Sequence, residues 1–201
     1  MKKLSKISLV FTLLITLICT QFTGGISAKA ATEDQLGLKA AAAILLDAET
    51  GKILYEKNAD EVLGVASMSK MMTEYLVLEA IAEDKIAWDD EVLISEYVHN
   101  LSKGAGLSNI GLTQGETYTV KELYEAMAIF SANAATVALA EKVSGSETNF
   151  VKLMNKKAGE LGMKDYTFVN ASGLNNSDLL GNHPAGGEND ENVMSARDTA
   201  I

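Results

Sequence analysis

Apolar residues crowd residues 68–82 almost without interruption, where Met71, Met72, Tyr75, Leu76, Val77, Leu78, Ala80 and Ile81 leave few polar positions between them. A helix with that pattern is apolar on most sides, so it is expected in the middle of a domain and not on its surface. Upstream, residues 41–47 and 52–57 are two short apolar runs flanking Ala48-Glu49-Thr50-Gly51, which predicts a β-hairpin. Downstream, Thr119-Val120-Lys121-Glu122 is a capping box that opens a helix with Leu123, Met127 and Phe130 at helical spacing. The pattern breaks at Ser131-Ala132-Asn133 and resumes over residues 134–143 as a small-residue helix that stops before Gly145. Ser146 caps a further helix with Phe150, Val151, Met154, Ala158 and Leu161 on one side and Gly162 past its end. Residues 92–94 make a short apolar piece, residues 165–170 alternate enough for a short strand, and residues 181–192 read as a long polar loop. At Ser195 a capped helix begins, with only one turn before the sequence ends; the expectation is therefore that the sequence stops inside a domain.

The first thirty residues follow other rules. Lys2, Lys3 and Lys6 precede an apolar run over residues 7–19, and Ser27-Ala28-Lys29-Ala30-Ala31 has the small-x-small spacing of a cleavage site, so residues 1–30 are expected to be a secretory signal peptide and the chain to be exported. Cys19, the single cysteine, falls inside that segment, and Ile18 before it is too large for a lipoprotein cleavage box. Removing residues 1–30 takes away four lysines and no acids, so the formal charge moves from −10 to −14. So acidic a chain has no basic patch for phosphates, and nucleic acid is not expected as a partner. Without cysteine, residues 31–201 have no disulfide, thiolate metal site or cysteine nucleophile, and His99 and His183 are in no metal-ligand spacing; no metal and no cofactor are expected. About 170 residues, nearly half of them apolar, suit one domain with a real core.

With so few histidines, the chemistry turns to Ser67-Met68-Ser69-Lys70 at the start of the apolar helix. Residues three apart share a helix face, so Lys70 can reach the Ser67 hydroxyl. A lysine inside an apolar helix loses solvation, its pKa falls, and the neutral amine becomes a competent base for a serine nucleophile. Taken alone, the four residues also describe a capping serine followed by a lysine that reaches water. Ser131 and Asn133, at the joint between two helices, can point into a common space; an ordinary pair of helix caps is the competing description. Gly104, Gly106 and Gly111 punctuate a loop with Ser108 and Asn109 that lacks the features of a phosphate loop and reads as a mobile surface loop at a cleft rim.

The order Ser67-Met68-Ser69-Lys70, then Ser131-Ala132-Asn133, resembles the first two active-site motifs of the penicillin-recognising serine enzymes. The surroundings, Tyr118-Thr119-Val120-Lys121-Glu122-Leu123, Phe168-Val169-Asn170-Ala171-Ser172-Gly173-Leu174 and Ser195-Ala196-Arg197-Asp198, are similar to the serine D-alanyl-D-alanine carboxypeptidases, the low-molecular-mass penicillin-binding proteins. The resemblance implies an α+β fold of the penicillin-binding and serine β-lactamase type, with helices around a central antiparallel sheet. It implies that Ser67 attacks the bond between the last two D-alanines of a peptidoglycan stem pentapeptide, with Lys70 taking its proton. Ser131 would relay a proton to the leaving D-alanine, Asn133 would hold Lys70 and the substrate amide, and β-lactams would acylate Ser67. No cofactor is implied.

One departure bears on activity. The family's third motif, K-T-G, which binds the substrate carboxylate and whose strand supplies an oxyanion donor, does not occur in the sequence. Losing one such donor costs roughly 10²- to 10³-fold in rate. Residues 31–201 are thus expected to be the N-terminal portion of the catalytic domain, its later strands and any membrane-binding C-terminal segment absent, with little activity and poor folding by itself. Other readings are a non-catalytic penicillin-binding sensor, an inactive remnant, or a serine β-lactamase. The lactamase needs a glutamate for its deacylating water, for which Glu188, four before Asn192, is the candidate.

Overall fold

A computed structural model describes residue 34 and residues 36–201. The expected signal peptide, with Cys19, lies outside the described residues. The chain divides into Met1–Gly37 and a second unit, Leu38–Ile201, which contains all of the elements below.

The hairpin forms where the two apolar runs predict it. Strand β1 (Ala43–Leu46) pairs antiparallel with β2 (Ile53–Lys57), with an irregularity between Leu45 and Leu46. Asp47 closes the turn, its Oδ1 accepting from the Thr50 amide at 2.8 Å and hydroxyl at 2.6 Å, and Gly51 takes a left-handed φ of 68°. Strand β3 (Val62–Gly64) leads into a 3₁₀ turn (Ala66–Ser69) and helix α1 (Lys70–Ala82). Strand β4 (Glu91–Leu93) and helix α2 (Glu96–Ser102) follow. Then come β5 (Thr117–Thr119), α3 (Val120–Phe130), α4 (Asn133–Ser144), α5 (Glu147–Leu161), β6 (Tyr166–Thr167), β7 (Val193–Ser195) and α6 (Ala196–Thr199). The architecture is α+β. Among the described residues all pairings are antiparallel, distributed over three small sheets: β1-β2, β3-β7-β6 and β4-β5.

The capping box is complete, with Thr119 Oγ1 accepting from Glu122 N and Glu122 Oε2 accepting from Thr119 N. Ser146 and Ser195 cap α5 and α6 as their sequences imply. Helix α2, which hydrophobic spacing does not announce, starts at Ser95, whose hydroxyl accepts from Val98 N. The strand expected over residues 165–170 is only Tyr166–Thr167, because the Asn170 side chain draws the chain after Phe168 into a turn by accepting from the amides of Ser172 and Gly173.

Helix α4 is buried from Asn133 to Ala140 and packs with α2, α3 and the inner side of α1 in one core. A second core gathers Leu76 of α1, Phe150 and Met154 of α5, Phe168 and Met194. The expectation that α1 is buried on most sides is only half met: Lys70, Thr73, Leu76, Val77 and Ala80 face inward, while Met71 and Tyr75 are about half exposed and Met68 and Leu78 are exposed beside them. Hydrophobic composition says how much apolar surface a helix carries; which faces are covered depends on neighbours distant in sequence.

Candidate active site

Ser67 lies on the 3₁₀ turn that feeds α1, and it is exposed, whereas Lys70 one turn on is 3% exposed. The backbone enters this turn in an uncommon conformation, Ala66 having φ 43° in the left-handed region. A non-glycine residue there costs of order 1 kcal/mol and persists only where neighbours enforce it. Those neighbours are close: Val65 N donates to Asn192 O, and Gly173 packs so tightly on Ala66 that a Cβ there would meet the Ala66 carbonyl oxygen at 1.9 Å. Strain in the turn and the glycine against it are one arrangement, and it presents Ser67 to solvent.

Three oxygens surround the Lys70 amine. Nζ lies 3.1 Å from Ser67 Oγ, 2.8 Å from Asn133 Oδ1 and 2.8 Å from the backbone carbonyl oxygen of Ser172. Burial pushes the ammonium down to about 8, from an ordinary 10.5, so near neutral pH a usable fraction is the free amine. A neutral amine has two N–H donors and one lone pair. Asn133 Oδ1 and Ser172 O can only accept, so they take the two donors, and the lone pair is left for the Ser67 hydroxyl proton. The capping-serine description of this motif is set aside by the same contacts, since the amine turns inward and not to water.

Asn133 is the first residue of α4, yet its side chain is not a cap. The Ala132 position has no side-chain cap, and the α4 amide of Ala134 is taken instead by Asn109 Oδ1 at 2.8 Å. Asn133 Nδ2 donates one of its two hydrogens to Ser108 O, which also accepts Asn133 N, and Oδ1 is turned to Lys70. The loop with Ser108 and Asn109, expected to be a mobile rim, is therefore an anchored support, fixed further by Asn109 Nδ2 on Leu101 O. Ser131 ends α3 in the left-handed region with φ 53° and is half-buried. Among the described residues no hydrogen bond joins it to Lys70 or Ser67, so hydrogen bonds bring together Ser67, Lys70 and Asn133, and Ser131 stays at the joint between α3 and α4.

Several contributors to the site carry no signature in the sequence. Ser172 acts through its backbone, which carries no residue signature; the nearby Gly173, with φ 82°, was the available hint. Thr73, one turn beyond Lys70, donates to Ala171 O at 2.7 Å, and Asn192 Oδ1 accepts from the amides of Val169 and Asn170. Neither histidine joins the site: His99 Nδ1 lies 2.6 Å from Leu112 O, and His183 is an exposed loop residue. Among the described residues no cluster of His, Cys, Asp or Glu could hold a metal ion. Glu188 is exposed, and Asn192 is buried in its bonds to the 169–170 backbone.

The buried amine between a hydroxyl and two fixed acceptors is accompanied by similarity to known proteins. The family model described as D-alanyl-D-alanine carboxypeptidase, peptidase S11, matches residues 28–201. The chain is 45% identical over 168 residues to the D-alanyl-D-alanine carboxypeptidase DacF of Bacillus subtilis, covering 83% of this chain and 42% of that protein. To DacC of Escherichia coli it is 39% identical over 145 residues, covering 71% and 36%. Among solved structures, a peptidoglycan synthesis regulatory factor (PBP3) from Streptococcus pneumoniae superposes with a TM-score of 0.77 at 45% identity, covering 80% of this chain and 45% of that one. Penicillin-Binding Protein D2 from Listeria monocytogenes, in its ampicillin-bound form, superposes with a TM-score of 0.66 at 35% identity, covering 82% and 60%. The chain spans about two-fifths of the length of the two curated relatives.

Proposed function

Since the chain belongs to the D-alanyl-D-alanine carboxypeptidase family, peptidase S11, we propose that the whole protein removes the terminal D-alanine from peptidoglycan stem pentapeptides by way of an ester on Ser67. Ser67 Oγ attacks the carbonyl carbon of the last peptide bond while its proton passes to Lys70 Nζ. Collapse of the tetrahedral adduct breaks the C–N bond, and the departing D-alanine amine takes up a proton, with Ser131 as its relay. Water then cleaves the ester and frees the shortened peptide. A β-lactam acylates Ser67 by the same first step, but its opened ring stays attached and the ester persists. Asn133 holds the amine and the substrate amide. The single observation that carries this reading is the Lys70 Nζ with its three oxygen neighbours at 3.1, 2.8 and 2.8 Å.

The compartment follows from the substrate. Peptidoglycan lies outside the cytoplasm, so the protein works at the cell wall or the outer face of the membrane after loss of residues 1–30, and any hold on the membrane comes through a later segment. Residues 31–201 are proposed as the N-terminal portion of the catalytic domain.

Two measurements on the whole protein test the reading: labelling with a fluorescent penicillin, and release of free D-alanine from a peptide ending in D-Ala-D-Ala. Labelling at Ser67 with D-alanine release is expected. Labelling with no release would make the protein a penicillin-binding sensor, and no labelling of Ser67 would end the assignment of the nucleophile.

A further inference from the structure

Helix α5 begins with a carboxyl group that points the wrong way for an ordinary helix-starting acid. Glu147 is 6% exposed, although an acid in the first turn needs only the helix end and water to be favourable. Capping does not require it, because the Ser146 hydroxyl already accepts from Asn149 N. Desolvating a carboxyl group is costly, and here the return is narrow. Oε1 accepts from Ala171 N at 2.9 Å, while Oε2 is buried with no hydrogen-bond partner among the described residues. Tyr97, Glu141 and His183 line the same small cavity and face the group. Burial pushes the Glu147 carboxyl up to about 7, against the pull of the Ala171 amide, and Glu141 adds to the rise.

That one amide belongs to the turn on which the Lys70 amine depends. Ala171 and Ser172 are consecutive, and their two carbonyl oxygens both face α1: Ala171 O takes the Thr73 hydroxyl, and Ser172 O takes Lys70 Nζ. Asn170 and Asn192 hold the turn's shape from within, through bonds to the amides of residues 169, 170, 172 and 173. Glu147 supplies a tie from α5, two peptide units before the one whose carbonyl receives Lys70. If the tie is released, the turn can rotate, and Ser172 O leaves the amine with one fixed acceptor in place of two. We propose that Glu147 is a positioning residue for Lys70: by accepting the Ala171 amide it fixes the Ser172 carbonyl, and with it the direction of the amine's lone pair toward Ser67. This rests on the reading of Lys70 as the base.

The test compares Glu147→Gln, Glu147→Leu and Glu147→Asp with the unchanged protein. Gln and Leu both lack the charge, but only Gln keeps an acceptor at the same reach; Asp keeps the charge and withdraws the acceptor by about one bond length. Two readouts are taken: the titration midpoint of Lys70, followed at its Cε by ¹³C NMR, and the rate of acylation by a fluorescent penicillin per titrated site. Glu147→Gln is expected to stay within about 3-fold of the unchanged rate. Leu and Asp are expected to slow acylation by roughly 10-fold or more, because misplacement of a reacting group is costly. They should also lower the Lys70 midpoint by about 0.5 unit or more relative to Gln, since the ammonium loses an acceptor. If Leu destabilises the fold, the Asp and Gln pair still decides. Leu and Asp matching Gln in both readouts, or a lower melting temperature with an unchanged rate per site, overturns the proposal. Failure of the unchanged protein to label at Ser67 counts against the proposed function instead, and the NMR comparison still decides the role of Glu147.

Discussion

The Nζ of Lys70 and the backbone carbonyl oxygen of Ser172 lie 2.8 Å apart although 102 positions separate them in the chain. With Asn133 Oδ1 at the same distance, this contact gives a neutral amine two acceptors for its two hydrogens, and its lone pair is left for the Ser67 hydroxyl. The candidate site is thus assembled by a helix start, a helix joint and a turn.

Acylation should follow the amine. With burial holding Lys70 at about 8, the rate of labelling by a fluorescent penicillin is expected to rise with pH and level off above that value. Lys70→Ala should slow labelling by roughly 10²- to 10⁴-fold while leaving the fold in place. Lys70→Ala labelling at the unchanged rate would remove the lysine from the mechanism.

The same group sets a sign for stability. Its folded value, about 8, lies below the ordinary 10.5, so between these values the unfolded chain binds the proton more firmly and stability rises with pH. The cost of burying the amine is present in full below about pH 8, is gone above about 10.5, and amounts to about 3 kcal/mol. Urea unfolding of the unchanged protein and of Lys70→Met isolates it. The difference in unfolding free energy should move in favour of lysine by about 3 kcal/mol across that window, and a flat difference would mean that the amine is well solvated.

Asn133 offers a test by charge. In Asn133→Asp a carboxylate replaces the amide oxygen beside Nζ, which favours the ammonium and should raise Lys70 by about 1 to 3 units. Labelling near neutral pH should fall roughly tenfold or more and recover at alkaline pH. A loss that alkaline pH does not restore points to a role for Asn133 other than tuning the amine.

The sequence disclosed what is local. Ser67 and Lys70 share a face because they are one turn apart, the capping box at Thr119 and Glu122 is complete within four residues, and the break at Ser131-Ala132-Asn133 marks the joint. Contacts that close the site from far away were not legible. Glu147 looks like any first-turn acid until Ala171 is known to lie against it, and a backbone acceptor such as Ser172 O is the same in every residue type. The open face of α1 is hidden in the sequence for the same reason, since Met71 and Tyr75 are as apolar as their buried neighbours.

Gly173 should tolerate no side chain. A Cβ there would sit 1.9 Å from the Ala66 oxygen and 2.8 Å from Ser69 Oγ, and its φ of 82° disfavours any other residue. Gly173→Ala must push apart the two turns that carry Ser67 and the Ser172 carbonyl. A loss of roughly 2 to 4 kcal/mol in chemical denaturation is expected, together with loss of penicillin labelling. An unchanged midpoint with normal labelling would show that the two turns do not press on each other in solution.

Asn109 tests whether the loop before β5 supports the site or merely decorates it. Its Oδ1 caps α4 at Ala134 N and its Nδ2 ties the loop to Leu101 O, while the preceding carbonyl, Ser108 O, receives both the amide and the side-chain nitrogen of Asn133. Asn109→Ala removes the cap at a cost of about 1 to 2 kcal/mol. It also releases Ser108, so the Asn133 side chain loses the contact that turns its oxygen toward Lys70. Acylation per folded molecule should therefore fall by about 10-fold, more than a cap loss alone explains. Asn109→Asp keeps an oxygen for Ala134 N and should retain most of the stability while losing the Leu101 tie. If Asn109→Ala loses only stability and each folded molecule still acylates at the unchanged rate, the loop holds up the helix and has no part in aiming Asn133.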